Sequence, residues 1–400
     1  MIKRETYLQQ IRPFIDHNVV KVLTGIRRCG KSVMLDLIKE ELISKGVESS
    51  QIISINLESG EWLIKNQIDQ LYDYVKERVH QTKKTYLFLD EIQEMEGWEK
   101  AVNAFLIDFG IDIYITGSNA KLLSGELATY LGGRYVEFKI YPFSFKEVCE
   151  IQKDKGMDTD VQMTFKNYLR MGGMPFIYES NIDEDSQKKY LSDIFDSVVL
   201  KDIVGRNKVR NVDLLKRILL FLMVNIGNPF SASKLIKFLK NEKRSIAQET
   251  IYNYINYCES ACFSHLVERE DIVGKQVLKF QEKIYLTDHG FREVIYGNNE
   301  RDIQQVLENI IYMELLRKGY SVKVGKVSTK EIDFVAVRGS ERIYYQVSYI
   351  LSEETTVERE FSPLEAIHDN YPKFVLTMDE FDRSRNGIQH LNIIKFLLED

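Results

Sequence analysis

The stretch Val19-Val-Lys-Val-Leu-Thr-Gly25-Ile-Arg-Arg-Cys-Gly-Lys-Ser32-Val33 decides the fold. Its first six residues are a short β-branched run that reads as a strand, and Val33–Leu42 after the motif carries helical spacing. Between them stands a complete G-x-x-x-x-G-K-S, in the strand–loop–helix setting that a phosphate-binding loop requires. Gly25 and Gly30 let the backbone of Ile26, Arg27, Arg28 and Cys29 turn its N–H groups onto a polyphosphate. The helix beginning near Lys31 and Val33 adds its positive dipole end. Lys31 is spaced to reach the β- and γ-phosphates, and Ser32 to ligate Mg²⁺. The side chains of Arg27 and Arg28 face phosphate, domain or partner, and spacing does not choose among these.

A loop of this kind calls for an acidic partner strand. Tyr86-Leu-Phe-Leu-Asp90-Glu91 supplies it, an apolar run ending in two carboxylates. Asp90 would hold Mg²⁺ and Glu91 would polarise the attacking water, so ATP or GTP binding with hydrolysis is expected; no Asn-Lys-x-Asp string is present, which favours ATP. The strand Asp112-Ile-Tyr-Ile-Thr-Gly-Ser-Asn119 ends in small polar groups, and Thr116, Ser118 and Asn119 are candidate γ-phosphate sensors. The same residues are good turn formers. Arg134, before the next strand, is a candidate arginine finger or a member of an ion pair. Glu58, ending the second strand, is a further candidate for the metal shell.

Four hundred residues suggest two or three domains. The 44% apolar and 28% charged content is that of a soluble globular chain, and no apolar run is long enough to span a bilayer, so a cytoplasmic protein without membrane contact is expected. Four scattered cysteines imply no disulfide framework, and Cys258 and Cys262, one helical turn apart, read as packing residues. A net charge of −6 argues against bulk nucleic-acid affinity but leaves room for a local basic patch.

Strands alternate with helices up to about residue 150, at Val19–Thr24, Ile52–Leu57, Tyr86–Leu89, Asp112–Thr116 and Tyr135–Ile140. The pattern implies an α/β domain over 1–150 with a parallel sheet. Residues 151–300 turn helical and then form a hairpin around Ser264–Glu268 and Gln276–Tyr285. Residues 301–400 return to α/β, with strands at Ser321–Val324, Glu331–Val337, Arg342–Tyr349 and Lys373–Thr377.

Several strings occur together: the loop itself, Leu-Asp-Glu-Ile-Gln (89–93), Ile-Thr-Gly-Ser-Asn-Ala (115–120), Leu-Gly-Gly-Arg-Tyr (131–135) and Tyr141-Pro-Phe-Ser-Phe-Lys-Glu147. They continue through Tyr168-Leu-Arg-Met-Gly-Gly-Met-Pro175, Val199-Leu-Lys-Asp-Ile-Val204, Lys283-Ile-Tyr-Leu-Thr-Asp288 and Glu331-Ile-Asp-Phe334. In these the chain resembles prokaryotic AAA-type P-loop ATPases that carry a C-terminal restriction-endonuclease-like domain of unknown function. The resemblance implies a nucleotide-driven machine or switch and supplies no substrate.

In the middle region the order helix (Ser231–Leu239), helix (Ser245–Glu259), hairpin resembles a winged helix-turn-helix. Between Lys234 and Arg244 five basic residues face one acid, Glu242, a local +4 suited to a DNA backbone. The next helix carries no Lys or Arg, so a lid packed on the ATPase is an equal reading. A nuclease site needs a helix acid, a strand Asp, then Glu-x-Lys on the following strand. Glu308 or Glu314 and Asp333 are in place, but Gln346 and Ser348 stand where the acid and lysine belong. Lys330 and Lys373 are the basic residues at hand. A catalytically degenerate site is expected, as is an exposed helix over Val357–Phe361. The chain is thus expected to hydrolyse ATP so as to act on a nucleic acid, a protein partner or a homo-oligomer. A slow nucleotide-gated switch and an ATP-regulated nuclease are the alternatives.

Overall fold

A computed structural model describes residues 2–399 apart from 66, 121–129, 158–159, 242–243, 245, 275 and 298. The chain divides into two compact units, residues 1–142 with 260–262, and residues 143–259 with 263–400.

The first unit is built on five strands, β1 (Val20–Thr24), β2 (Ile52–Asn56), β3 (Tyr86–Asp90), β4 (Asp112–Gly117) and β5 (Tyr135–Lys139), in the order β2-β3-β4-β1-β5. Every neighbouring pair is parallel. β1, β3 and β4 are buried at every position, whereas the edge strands β2 and β5 alternate or stay half-buried. Continuous apolar runs in the centre are what a parallel sheet covered on both faces demands. Val20, Val22, Leu87, Leu89, Ile113 and Ile115 carry one face of the core against Trp62, Leu71, Val102 and Phe105. Helix α1 (Lys31–Ser44) starts directly from the loop after β1. This is the α/β P-loop sheet that the opening stretch predicts. β4 lies between the loop-bearing strand and the acid-bearing strand, so the ends of all three carry the site.

The second unit opens with helices. Among them α2 (Val212–Val224), α3 (Ala232–Asn241) and α4 (Gln248–Ser260) precede the hairpin β6 (Ser264–Asp271) and β7 (Gln276–Leu286). Then come α5 (Ile303–Arg317), β8 (Ser321–Val327), β9 (Lys330–Arg338), β10 (Glu341–Val347), α6 (Glu354–Glu365), β11 (Lys373–Thr377) and β12 (Gln389–Asn392). Seven strands form one sheet in the order β12-β11-β10-β9-β8-β6-β7. The hairpin that pattern reads as a wing also forms the edge of the C-terminal sheet, joined by the parallel pairs Arg269↔Val324, Glu270↔Gly325 and Asp271↔Lys326. The sheet runs across residue 300, where the strand and helix pattern suggests a boundary. β12 goes unread in the sequence because Gln389-His-Leu-Asn392 is polar and too short to alternate. Among the described residues no helix is long and apolar enough to cross a membrane.

Candidate functional site

The loop between β1 and α1 is shaped by its glycines. A Cβ on Gly25 would lie 2.2 Å from the Ile140 carbonyl oxygen and 2.9 Å from Cys29 Sγ, so only glycine lets this turn approach the segment after β5. Gly30 caps α1 with φ 101°, and no side chain caps the first turn. Its N–H groups are thus left for an anion. Cys29 is buried and donates its thiol to the Ile140 carbonyl at 3.2 Å. The buried Arg4 donates to the carbonyls of Cys29 (3.1 Å) and Tyr141 (2.8 Å). A peptide's C=O and N–H point opposite ways, so this clamp turns the Gly30 N–H away from Arg4.

Lys31 is 3% exposed. Its ammonium donates to the Gly25 and Ile26 carbonyls at 3.2 and 3.3 Å and lies 3.5 Å from Glu91 Oε1. Burial opposes charge on Glu91, but Lys31, Gln93 and Arg27 overcome it and hold the carboxyl below its ordinary range. Glu91 has φ 52°, a left-handed conformation that a non-glycine residue holds only under constraint. The constraint is visible: the Glu91 N–H donates to Thr116 Oγ1 at 2.9 Å, and that hydroxyl donates to Asp90 Oδ1. Thr116 therefore spends its only proton on Asp90 and orders the two acids. Gln93 donates its amide to Glu91 Oε2.

The other candidates are placed as follows. Ser32 is exposed on the first turn of α1, Val33 is half-buried and Arg28 is exposed with φ 68°. Arg27 pairs with Glu58 at 3.3 Å. Ser118 is buried and Asn119 half-buried just past β4. The Arg134 guanidinium is taken up by the Leu131 carbonyl (3.1 Å) and Asn103 Oδ1 (2.8 Å), and it forms no ion pair among the described residues.

These residues fit a nucleotide with Mg²⁺. The uncapped helix start, the glycine cradle and a buried cation resting on neutral carbonyls suit phosphate oxygens. Ser32 and Asp90 offer hard oxygen donors, and Mg²⁺ shared with phosphates needs only one or two protein ligands. No larger group of His, Cys, Asp and Glu able to hold a metal is present among the described residues.

A second polar cluster lies in the other unit. Asp333 on β9 accepts the Val347 N–H at 2.9 Å, and Gln346 on β10 accepts the Asp333 N–H at 3.3 Å. The Gln346 amide donates to Glu360 Oε2 at 3.0 Å. Lys283 on β7 reaches Glu308 on α5 (3.1 Å), Glu331 (2.8 Å) and Asp333 (3.4 Å). Glu314 is turned away and pairs with Arg317. Lys330 and Lys373 bond to the Ser362 and Asp369 carbonyls, outside the cluster, and Ser348 is buried with its N–H on Leu376. The exposed helix expected over Val357–Phe361 is corrected: Val357, Glu360 and Phe361 are buried. Within the basic segment Lys234–Arg244, Lys234, Lys237 and Lys240 are exposed on α3 and Arg244 pairs with Asp213 at 2.5 Å; Glu242 and Lys243 lie outside the described residues. Arg4, Gln93, Lys283 and Glu360 were not legible as site residues. Only Lys283, a lysine inside an apolar strand, and Glu360, on an apolar stripe, left a trace.

A five-stranded parallel sheet whose first strand feeds a glycine-cradled lysine loop, with a strand ending in two acids on the far side of β4, defines a P-loop NTPase fold. Residues 17–149 match the AAA domain family, and residues 162–302 match a domain of unknown function, DUF8612. A Haemophilus influenzae protein described as uncharacterized is 39% identical over 100% of this chain and 99% of its own length. A second uncharacterized protein, from Methanocaldococcus jannaschii, is 32% identical over 88% of this chain and 79% of its own. The chain belongs to the family that these two proteins represent. Among solved structures, the Walker-type ATPase of Pyrococcus abyssi aligns with a TM-score of 0.49 at 15% identity, over 73% of this chain and 95% of that one. AMPPCP-bound DnaA from Aquifex aeolicus aligns at 0.34 and 13%, over 63% and 85%.

Proposed function

We propose that the chain binds ATP with Mg²⁺ in the loop after β1 and hydrolyses it to act on a nucleic-acid or protein partner. The convergence of Lys31, Asp90, Glu91 and Thr116 at the carboxyl ends of three adjacent strands carries this reading. The backbone of Gly25–Val33 would hold the phosphates, Lys31 would neutralise them, and Ser32 and Asp90 would hold the metal ion, which screens the phosphate charge. Glu91, kept ionised, is the base for the attacking water. The exposed lysines of α3 support a nucleic-acid backbone as partner. We read α3, α4 and the following hairpin as winged-helix-like and the C-terminal sheet as restriction-endonuclease-like without cleavage. In support of the latter, Gln346 and Ser348 replace an acid and a lysine, and the Lys283 ammonium fills the space between the carboxylates where a metal would sit.

The second reading is a slow nucleotide-gated switch, favoured by the mutual neutralisation of Lys31 and Glu91. Turnover separates the two. ATP hydrolysis is measured with and without duplex and single-stranded DNA, with Glu91→Gln as control. Turnover that rises with DNA and vanishes in the variant supports the first reading; ATP bound with negligible turnover under all conditions leaves the switch.

A further inference from the structure

Gln93 sits two residues beyond Glu91 in the tight turn Ile92–Glu94. The left-handed backbone at Glu91 folds that turn back, closed by Glu94 N–H to the Glu91 carbonyl at 3.1 Å. The Gln93 amide nitrogen thereby reaches Glu91 Oε2, while the other Glu91 oxygen faces Lys31. The opposite amide orientation would set a carbonyl against a carboxylate, so charge fixes which end faces Glu91. The Gln93 carbonyl oxygen is consequently turned away from Glu91, and among the described residues it is buried without a hydrogen-bond partner. Such an atom is costly to bury and calls for a reason.

We propose that Gln93 positions the attacking water together with Glu91, its amide nitrogen steadying the base and its carbonyl oxygen accepting the water's second hydrogen. The inference rests on the hydrolysis proposed above. A water that donates one hydrogen to Glu91 and one to Gln93 turns a lone pair outward, and two fixed acceptors define its direction where one leaves it free to swing. In the step, the water oxygen forms a bond to the γ-phosphorus and the bond to the bridging oxygen breaks, releasing ADP. The proton facing Glu91 passes to its carboxylate. The hydrogen facing Gln93 stays on the oxygen and leaves with inorganic phosphate, because an amide carbonyl is too weak a base to take it.

The test is steady-state hydrolysis of ATP with Mg²⁺ by the wild type and by Glu91→Gln, Gln93→Met and Gln93→Glu, beside fluorescent-nucleotide binding and unfolding temperature. Gln93→Met should lose about 10²-fold in kcat with KM within about twofold, the split left by an interaction made in the transition state. Gln93→Glu keeps an acceptor oxygen but sets a second carboxylate against Glu91, so its kcat falls too while nucleotide still binds. A kcat in Gln93→Met within about threefold of wild type overturns the proposal. Loss of nucleotide binding in both Gln93 variants also overturns it, because Gln93 then only holds the fold of the site. A wild type without turnover removes the hydrolysis reading and this inference together, whereas an active wild type with unaffected Gln93 variants removes this inference alone.

Discussion

Lys31 Nζ lies 3.5 Å from Glu91 Oε1, so the cation proposed for phosphate and the base proposed for water hold one another. A polyphosphate entering the loop must draw Lys31 off that carboxylate and then stand near its negative charge. Glu91→Gln removes both costs while keeping size and shape. We expect the variant to bind ATP about tenfold more tightly than wild type, roughly 1.4 kcal/mol, while losing hydrolysis. Titration with a fluorescent ATP analogue measures this; equal affinities would mean the pair exerts no hold on the loop.

At the amino ends of the central strands β1 and β4, Lys21 and Asp112 form an ion pair with both side chains 0% exposed. Asp112 also accepts the Tyr114 hydroxyl (2.8 Å) and the Asp16 N–H (3.0 Å). Burial presses the Lys21 pKa down, and Asp112 is the main group opposing it. Asp112→Asn keeps the shape and leaves the ammonium without its counter-charge. The expected loss is about 3–5 kcal/mol by urea unfolding, with Lys21→Met in the same chain recovering most of it. A single variant within about 1 kcal/mol of wild type would show that the pair is not needed to hold the charge.

The strands of the P-loop unit were legible because each central one is mostly apolar, broken in β1 by Lys21, and the site because spacing in the loop and the Asp90-Glu91 step is local in sequence. What was not legible depends on distant partners. The β6–β7 hairpin could be read as two strands but not as the edge of a sheet, since its attachment to β8 rests on three residue pairs more than fifty positions apart. Lys283 gains its meaning only from Glu308, Glu331 and Asp333 on other elements. Glu360 was readable in part: Val357, Glu360 and Leu364 fall on one helical stripe, and an acid there must find a polar partner, which Gln346 provides. Thr116 shows the reverse, a residue picked out for sensing phosphate whose hydroxyl is given to Asp90.

Lys283 is the only cation contacting Glu308 and Asp333 among the described residues, and burial alone would push both of those carboxyls upward. Burial opposes the lysine's charge as well, but Glu308, Asp333 and Glu331 overcome it and keep its pKa well above the ordinary value. Lys283→Met should cost about 3–5 kcal/mol near neutral pH. Without the ammonium the folded-state pKa values of Glu308 and Asp333 rise further above their unfolded values. The variant should therefore regain stability as pH falls and protons neutralise them. Melting temperature against pH checks this; a deficit that does not shrink on acidification would place the loss in packing rather than charge.

His289 is buried with Nε2 2.8 Å from the Tyr168 carbonyl, to which it donates as the neutral ring. Burial lowers its pKa to about 4, with Arg317 and Arg292 adding to the effect. Its neighbour Asp288 moves the other way, raised by burial to about 6 although the Gly173 and Gly290 N–H groups oppose the shift. The signs differ in consequence. Below about pH 6.5 the unfolded chain protonates His289 while the fold does not, so this residue lowers stability as pH falls until about 4. Asp288 raises stability over an overlapping range, because the folded state holds its proton up to about pH 6. Comparing wild type with His289→Gln, which retains an amide donor for the Tyr168 carbonyl, cancels the Asp288 contribution. Between about pH 7.5 and 5 the variant should gain about 2 kcal/mol relative to wild type in urea unfolding. A difference independent of pH would mean that His289 takes up its proton in the fold as readily as in the unfolded chain.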